Sequence, residues 1–193
     1  CHLGNGSSVT ATKNGIAIDT SMGFTPQDGV VMGTRSGAID PSVLTYIMKT
    51  DNISAEEMDN IINKKSGILG ISEISSDARN IEDEANNGNE RAILTQKIVG
   101  NSVKKLIGAY IAQMNGIDAL VFTAGVGEND FKIRELSCDE LEYFGIEIDK
   151  ELNEKAPRGK EVELTAKGAK VRTFIIPTNE ECMIARDAAS FVK

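Results

Sequence analysis

Apolar and polar positions alternate over residues 7–21, "SSVTATKNGIAIDTS", on either side of Asn14 and Gly15. A period of two flanking an Asn-Gly pair predicts a β-hairpin closed by a type I′ turn, because both turn residues need positive φ. The alternation then stops. Residues 22–41, "MGFTPQDGVVMGTRSGAIDP", are punctuated by glycine and proline without periodicity, a loop longer than a compact domain uses as a connector. Its apolar residues Met22, Phe24, Val30, Val31 and Met32 predict that the loop is ordered.

Helical spacing begins at Pro41. "PSVLTYIMK" and "SAEEMDNIINKKSG" predict two short helices, the second opened by a Ser54 and Glu57 capping box and stopped at Gly67. "SSDARNIEDEANNGN" gives a polar start and a short acidic helix. Over 91–115, Leu94, Ile98, Leu106, Ile107, Tyr110, Ile111 and Met114 fall largely three or four apart, which predicts a long central helix ending at Asn115-Gly116. "DALVFTAGVGEND" then reads as a buried strand running into a glycine loop. Residues 130–160 predict one or two short helices and a charged, mobile excursion at "EKAPRGKE". "KVRTFIIP" is the last strand, and "TNEECMIARDAASFVK" a terminal helix burying Cys182, Ala185, Ala188, Ala189 and Val192. Thr178 is its expected N-cap, with Glu181 completing a capping box and Glu180 free of that duty. The whole is an α/β domain: a mixed sheet led by an N-terminal hairpin and flanked by helices.

The 193 residues suffice for one domain with a real core, and no apolar run is long enough to span a membrane. A net charge of −8 argues against a nucleic-acid surface, so any phosphate site must be local. Cys1, Cys138 and Cys182 are too scattered for a zinc knuckle and too few for a disulfide framework, which points to a reducing, cytoplasmic compartment. The chain opens on what reads as the end of a strand entering a loop, so it is expected to be a piece of something longer.

Two glycine-framed loops carry candidate chemistry. "HLGNG" sets the single histidine, His2, beside Asn5 between Gly4 and Gly6, where backbone N–H groups can approach a phosphate; a tight turn is the alternative. "TAGVGEN" repeats the theme with Gly125 and Gly127 followed by Glu128 and Asn129, the alternative being a strand-exit turn. It is no dinucleotide fingerprint, since Asp130 stands where a third glycine would fall, and the chain has no Walker loop. Arg35 is presented from a glycine-rich loop, as a phosphate clamp or merely as a solvated side chain. Ser76 or Asp77 could equally be only a helix cap.

Together, "HLGNG", "GFTPQDG…MGTRSGAIDP", "SSDARN", "FTAGVGEN" and "PTNEE", in this order, resemble the C-terminal half of the acetate kinase family over essentially the whole chain. The resemblance implies a ribonuclease H-like domain of the actin-like ATPase superfamily, with residues 1–193 as the C-terminal nucleotide-binding domain and the N-terminal domain absent. It implies that His2, Leu3, Gly4, Asn5 and Gly6 hold nucleotide phosphates and that Asp77, Ala78 and Arg79 contact the adenosine. Gly125, Val126, Gly127, Glu128 and Asn129 would cradle the nucleotide, Arg35 would stabilise the transferring phosphoryl group, and Glu180 would help bind Mg²⁺. The implied cofactors are ATP or ADP with Mg²⁺, and the implied partners are acetate or acetyl phosphate, the upstream domain and a second copy in a homodimer. The chain alone is expected to be inactive. Propionate or butyrate kinase, or a non-catalytic nucleotide-binding module, are the alternatives. Phe24, Met32 and the central helix are the expected source of apolar surface for the dimer.

Overall fold

The computed structural model describes residues 1–191. The opening strand β1 (His2–Leu3) pairs antiparallel with β2 (Ser7–Ser8), and the chain continues into the hairpin of β3 (Thr10–Lys13) and β4 (Ile16–Thr20). Asn14 and Gly15 at the tip have φ of 54° and 78°, as a type I′ turn demands. The apolar residues of β4 find no cover, however: Ile16 and Ile18 are exposed.

The helices α1 (Pro41–Thr50) and α2 (Ala55–Lys64) fall where expected. Ser54 caps α2 by accepting from Glu57 N at 3.1 Å, but the Glu57 carboxylate pairs with Lys65 instead of reaching back to close the box. Gly67, expected as a stop, opens a further helix α3 (Gly67–Ser72) from a φ of 64°. After α4 (Ala78–Asn86), Asn89 caps the long α5 (Glu90–Met114) by accepting from Arg91 N and Ala92 N. Its buried face runs through Ala92, Val99, Val103, Ile107 and Ile111, and Asn115 ends it in the left-handed conformation.

Strand β5 (Ala119–Phe122) leads not into an irregular loop but into a short helix α6 (Ala124–Asn129), followed by α7 (Phe131–Cys138), a 3₁₀ turn (Glu142–Phe144) and α8 (Lys150–Glu154). The last strands are β6 (Val162–Glu163), which the sequence pattern did not announce, and β7 (Arg172–Ile175). They form a sheet of order β5-β7-β6, with β7 parallel to β5 and antiparallel to β6. Leu3, Val30, Val103, Phe122, Ile146, Leu164 and Ile175 meet in one core between this sheet and the helices.

Two expectations need correction. Met32 is 1% exposed and belongs to the core, so only Phe24 of that pair offers apolar surface. The terminal helix α9 (Glu180–Phe191) buries none of its described residues: Cys182 is half-buried and Ala185, Ala188 and Ala189 are exposed, because the helix leaves β7 through Pro177 and stands clear of the core. Val192 lies outside the described residues. No described helix is long and apolar enough to cross a membrane.

Candidate functional site

Strands β1, β5 and β7 run in one direction. A parallel bridge joins His2 to Thr123, and Phe122 stands opposite Ile175 in the parallel ladder. Leu3 N donates to Thr123 O at 2.9 Å and Ile176 N to Phe122 O at 3.0 Å, so the segments after these strands leave the same edge of the sheet. Residues 4–6, 123–129 and 176–180 are thereby brought together at the carboxyl ends of the strands, where open α/β sheets bind ligands.

The first of these loops is built tightly. Ser7 Oγ donates to Gly4 O at 3.0 Å and Gly4 N donates to Gly6 O at 3.1 Å. Gly33 N donates to Asn5 O at 3.2 Å, and a Cβ on Gly33 would collide with Asn5 Oδ1. The loop carrying Gly33 is itself locked on α3, with Ile68 N donating to Met32 O at 2.8 Å and Leu69 N to Gly33 O at 2.9 Å. Arg35 rises from this braced loop. Its Nη1 donates to Pro26 O at 3.3 Å, and a Cβ on Gly6 would stand 3.4 Å from that same nitrogen, so the guanidinium lies beside the opening loop.

The second loop turns on Ala124, a non-glycine residue at φ 66°, a conformation that costs of order 1 kcal/mol and persists only where its surroundings impose it. Asn129 Nδ2 donates back to Gly125 O at 2.8 Å. Arg134 of α7, 1% exposed, donates to Gly127 O at 3.0 Å, to Asn153 Oδ1 at 2.7 Å and to Asn153 O at 3.0 Å, and so ties α6 to α8. Glu128 Oε1 accepts from Thr178 N at 3.0 Å and from Thr178 Oγ1 at 3.4 Å. That bond displaces the expected cap of α9. Asn179 performs it instead, accepting from Cys182 N at 3.2 Å, so Glu181 completes no capping box and both Glu180 and Glu181 are exposed in the first turn.

Between the two loops and the start of α4 lies a cleft of about 530 Å³. Of the residues singled out in the sequence, Gly4, Asn5, Asp77, Ala78, Arg79, Gly125, Val126 and Asn129 line it. The others stand apart from its walls. His2 lines a second cavity, Leu3 is core, Gly127 is buried with its carbonyl bonded to Arg134, and Glu128 faces Thr178. Gly6, Arg35 and Glu180 lie outside the lining as well. Arg158 joins the walls from the segment read as a mobile excursion, and Gly33, Ile68, Ser76, Glu82 and Asp130 complete them. No periodicity marks Arg158; only the proline-glycine turn around it could have drawn attention.

Asp77 caps α4 by accepting from Arg79 N at 3.0 Å and pairs with the Arg79 guanidinium at 2.6 Å. The side-chain bond from Arg79 pulls the Asp77 carboxyl down to about 2. Asp130 caps α7, accepting from Ile133 N at 2.9 Å, and burial pushes its carboxyl up to about 6. The cleft therefore mixes an ion pair at its mouth with a desolvated acid at its floor.

Among the described residues no group of three or more His, Cys, Asp or Glu side chains could hold a metal. Glu180 offers one exposed hard oxygen donor at the first position of α9. A single carboxylate is no cage, but it suits Mg²⁺, which keeps several waters and takes its remaining oxygens from nucleotide phosphates.

The description "Acetokinase family" fits residues 1–186, and the chain belongs to that family. It is 55% identical over 194 residues to an acetate kinase of Thermoanaerobacterium thermosaccharolyticum and 54% identical over 193 residues to one of Moorella thermoacetica, matching all of this chain and 48% of each relative. It thus spans about half the length of the curated relatives it matches. Among solved structures, the acetate kinase of Porphyromonas gingivalis superposes on the whole chain with a TM-score of 0.93 at 49% identity, over 48% of its own length. A propionate kinase from Francisella tularensis gives 0.88 at 43% identity, over 95% of this chain and 46% of that one.

Proposed function

We propose that residues 1–193 form the C-terminal, nucleotide-binding domain of an acetate kinase, which moves a phosphoryl group between ATP and acetate to give ADP and acetyl phosphate. The domain is read as ribonuclease H-like, with the nucleotide lying between it and the remaining half that the longer relatives possess. One observation carries this reading: the cleft beyond the carboxyl ends of β1 and β5 is walled by both glycine loops and by Asp77, Ala78 and Arg79 at once. The backbone at Gly4, Asn5 and Gly125 allows close approach of phosphate oxygens, and Arg79 and Arg158 add positive charge in a chain of net charge −8.

Phosphoryl transfer needs alignment and charge neutralisation more than acid–base work. Arg35, beside Gly6, supplies a fixed guanidinium for the transferring group. Mg²⁺, held in part by Glu180, would neutralise phosphate charge when bound. Acetate contacts and the rest of the metal site are assigned to the other half, so this chain alone should bind nucleotide without making acetyl phosphate. A cytoplasmic homodimer is the proposed setting; the cysteines Cys1, Cys138 and Cys182 are all unpaired. The likeness to a propionate kinase favours a second reading, transfer to propionate or butyrate. Hydroxamate assays on the longer protein with acetate, propionate and butyrate decide between them: highest kcat/KM on acetate supports the first reading, and no acyl phosphate from any of the three contradicts both.

A further inference from the structure

The cleft of about 530 Å³ is not polar throughout. Ile68, Ala78 and Val126 line it, and these three residues together with Asp130 also line a small recess of about 20 Å³ that adjoins it. Ile81 and Ile133 add further hydrocarbon to the recess. One part of the cleft is therefore apolar, as the faces of an aromatic ring require, and Asp130 is the charged residue common to both spaces.

The two oxygens of Asp130, which is 6% exposed, are not equivalent. Oδ1 caps α7 by accepting from Ile133 N at 2.9 Å. Oδ2 accepts from no donor among the described residues, yet Thr173 Oγ1 is the one fully enclosed side-chain polar atom there without a partner. Oδ2 thus keeps an opening, and the spaces that Asp130 lines are the cleft and its recess. Arg134, whose charge reaches Asp130, spends its hydrogen bonds on Gly127 O, Asn153 Oδ1 and Asn153 O. A cap needs one oxygen, and a second carboxylate oxygen kept from water without a donor is costly.

We propose that Asp130 reads the base of the bound nucleotide: Oδ2 accepts a hydrogen bond from the exocyclic amino group of adenine, while Ile68, Ala78 and Val126 pack against the ring. This rests on the reading of the cleft as a nucleotide site. An amino group at that edge of the ring satisfies the carboxylate, whereas an oxo group would set acceptor against acceptor in a desolvated place. Glu82 lines the cleft as well and its charge reaches Asp130, so it too disfavours an acceptor there. The backbone of the two glycine loops meets the phosphates whatever the base, which leaves the choice of base to Asp130.

Calorimetric titration at pH 8, where the carboxyl is ionised, with MgADP and MgIDP tests this, because the two bases carry an amino and an oxo group at the same ring position. The chain should bind ADP at least tenfold more tightly than IDP, the worth of one hydrogen bond to a charged group. In Asp130→Asn the side-chain carbonyl keeps the bond from Ile133 N, which turns the amide nitrogen, a donor, into the place of Oδ2. That variant should bind IDP more tightly than ADP, a reversal that a merely structural role would not produce. Equal affinities in the unaltered chain, or a variant that weakens both nucleotides by the same factor, overturn the proposal and leave the nucleotide site standing. Binding of neither nucleotide to the unaltered chain overturns both. Should Asp130→Asn fail to fold, Asp130→Ser keeps a hydroxyl cap and leaves no group in the place of Oδ2: the preference for ADP should then fall to within twofold, and a preference unchanged from the unaltered chain overturns the proposal.

Discussion

Glu128 holds Thr178: one carboxylate oxygen of the glycine-loop residue accepts from the backbone N–H of Thr178 at 3.0 Å, joining α6 to the start of α9 fifty residues on in sequence. Glu128→Ala should leave that N–H without its protein partner and destabilise the chain by about 1 kcal/mol, with faster exchange of the Thr178 amide. Glu128→Gln, which keeps a carbonyl acceptor, should restore most of it. Thermal melts of the two variants, with exchange read at Thr178, check the bond.

Arg134 carries more weight because it is buried. Arg134→Met removes all three of its hydrogen bonds and takes the guanidinium donor away from Gly127 O, Asn153 O and Asn153 Oδ1 inside the protein, while Asn153 Nδ2 keeps its bond to Phe131 O. A loss of roughly 2–4 kcal/mol is expected, read from denaturant unfolding. Since Gly127 lies within the second loop, nucleotide affinity should fall as well, even though Arg134 does not line the cleft.

The hairpin, the central helix and the two main strands were legible because each depends on local periodicity and on punctuation such as Asn14-Gly15 and Asn115-Gly116. What misled is tertiary. Gly67 reads as a stop, but its backbone sits against Met32 O and Arg35 O and starts α3. Thr178 reads as a cap, but Glu128 takes its N–H and Asn179 caps instead. Gly4, Asn5, Gly125, Val126 and Asn129 line the cleft from glycine-framed segments after strands, a local signal, whereas Asp77, Ala78 and Arg79, which line it too, read locally only as a helix cap and entered through the family resemblance. Arg158 was invisible because nothing local distinguishes a surface arginine that folds back onto a cleft.

In the longer protein, Arg35→Ala should lower kcat by roughly 10²–10⁵ with little change in nucleotide affinity, the range for groups that stabilise phosphoryl-transfer charge. Steady-state kinetics decide it. Near-normal kcat with a raised KM would make Arg35 a binding residue instead.

The buried Asp130 carboxyl should make stability fall as pH rises from about 4 to 6. Burial pushes the Asp130 carboxyl up to about 6, so between about 4 and 6 the folded state holds a proton that the unfolded state has released, and this contribution is lost as pH rises through that window. Thermal melts from pH 4 to 8 read the fall. Asp130→Asn, which keeps an acceptor for Ile133 N, should flatten it.

The central claim is that nucleotide occupies the cleft at the carboxyl end of the sheet. It is tested most directly by titrating MgADP into the ¹⁵N-labelled chain and mapping the amides that respond. Saturable shifts should cluster at residues 4–6, 77–79 and 125–129, and Ala78→Trp, which fills the cleft, should abolish them. Shifts centred elsewhere, shifts that survive Ala78→Trp, or none at millimolar nucleotide would contradict it.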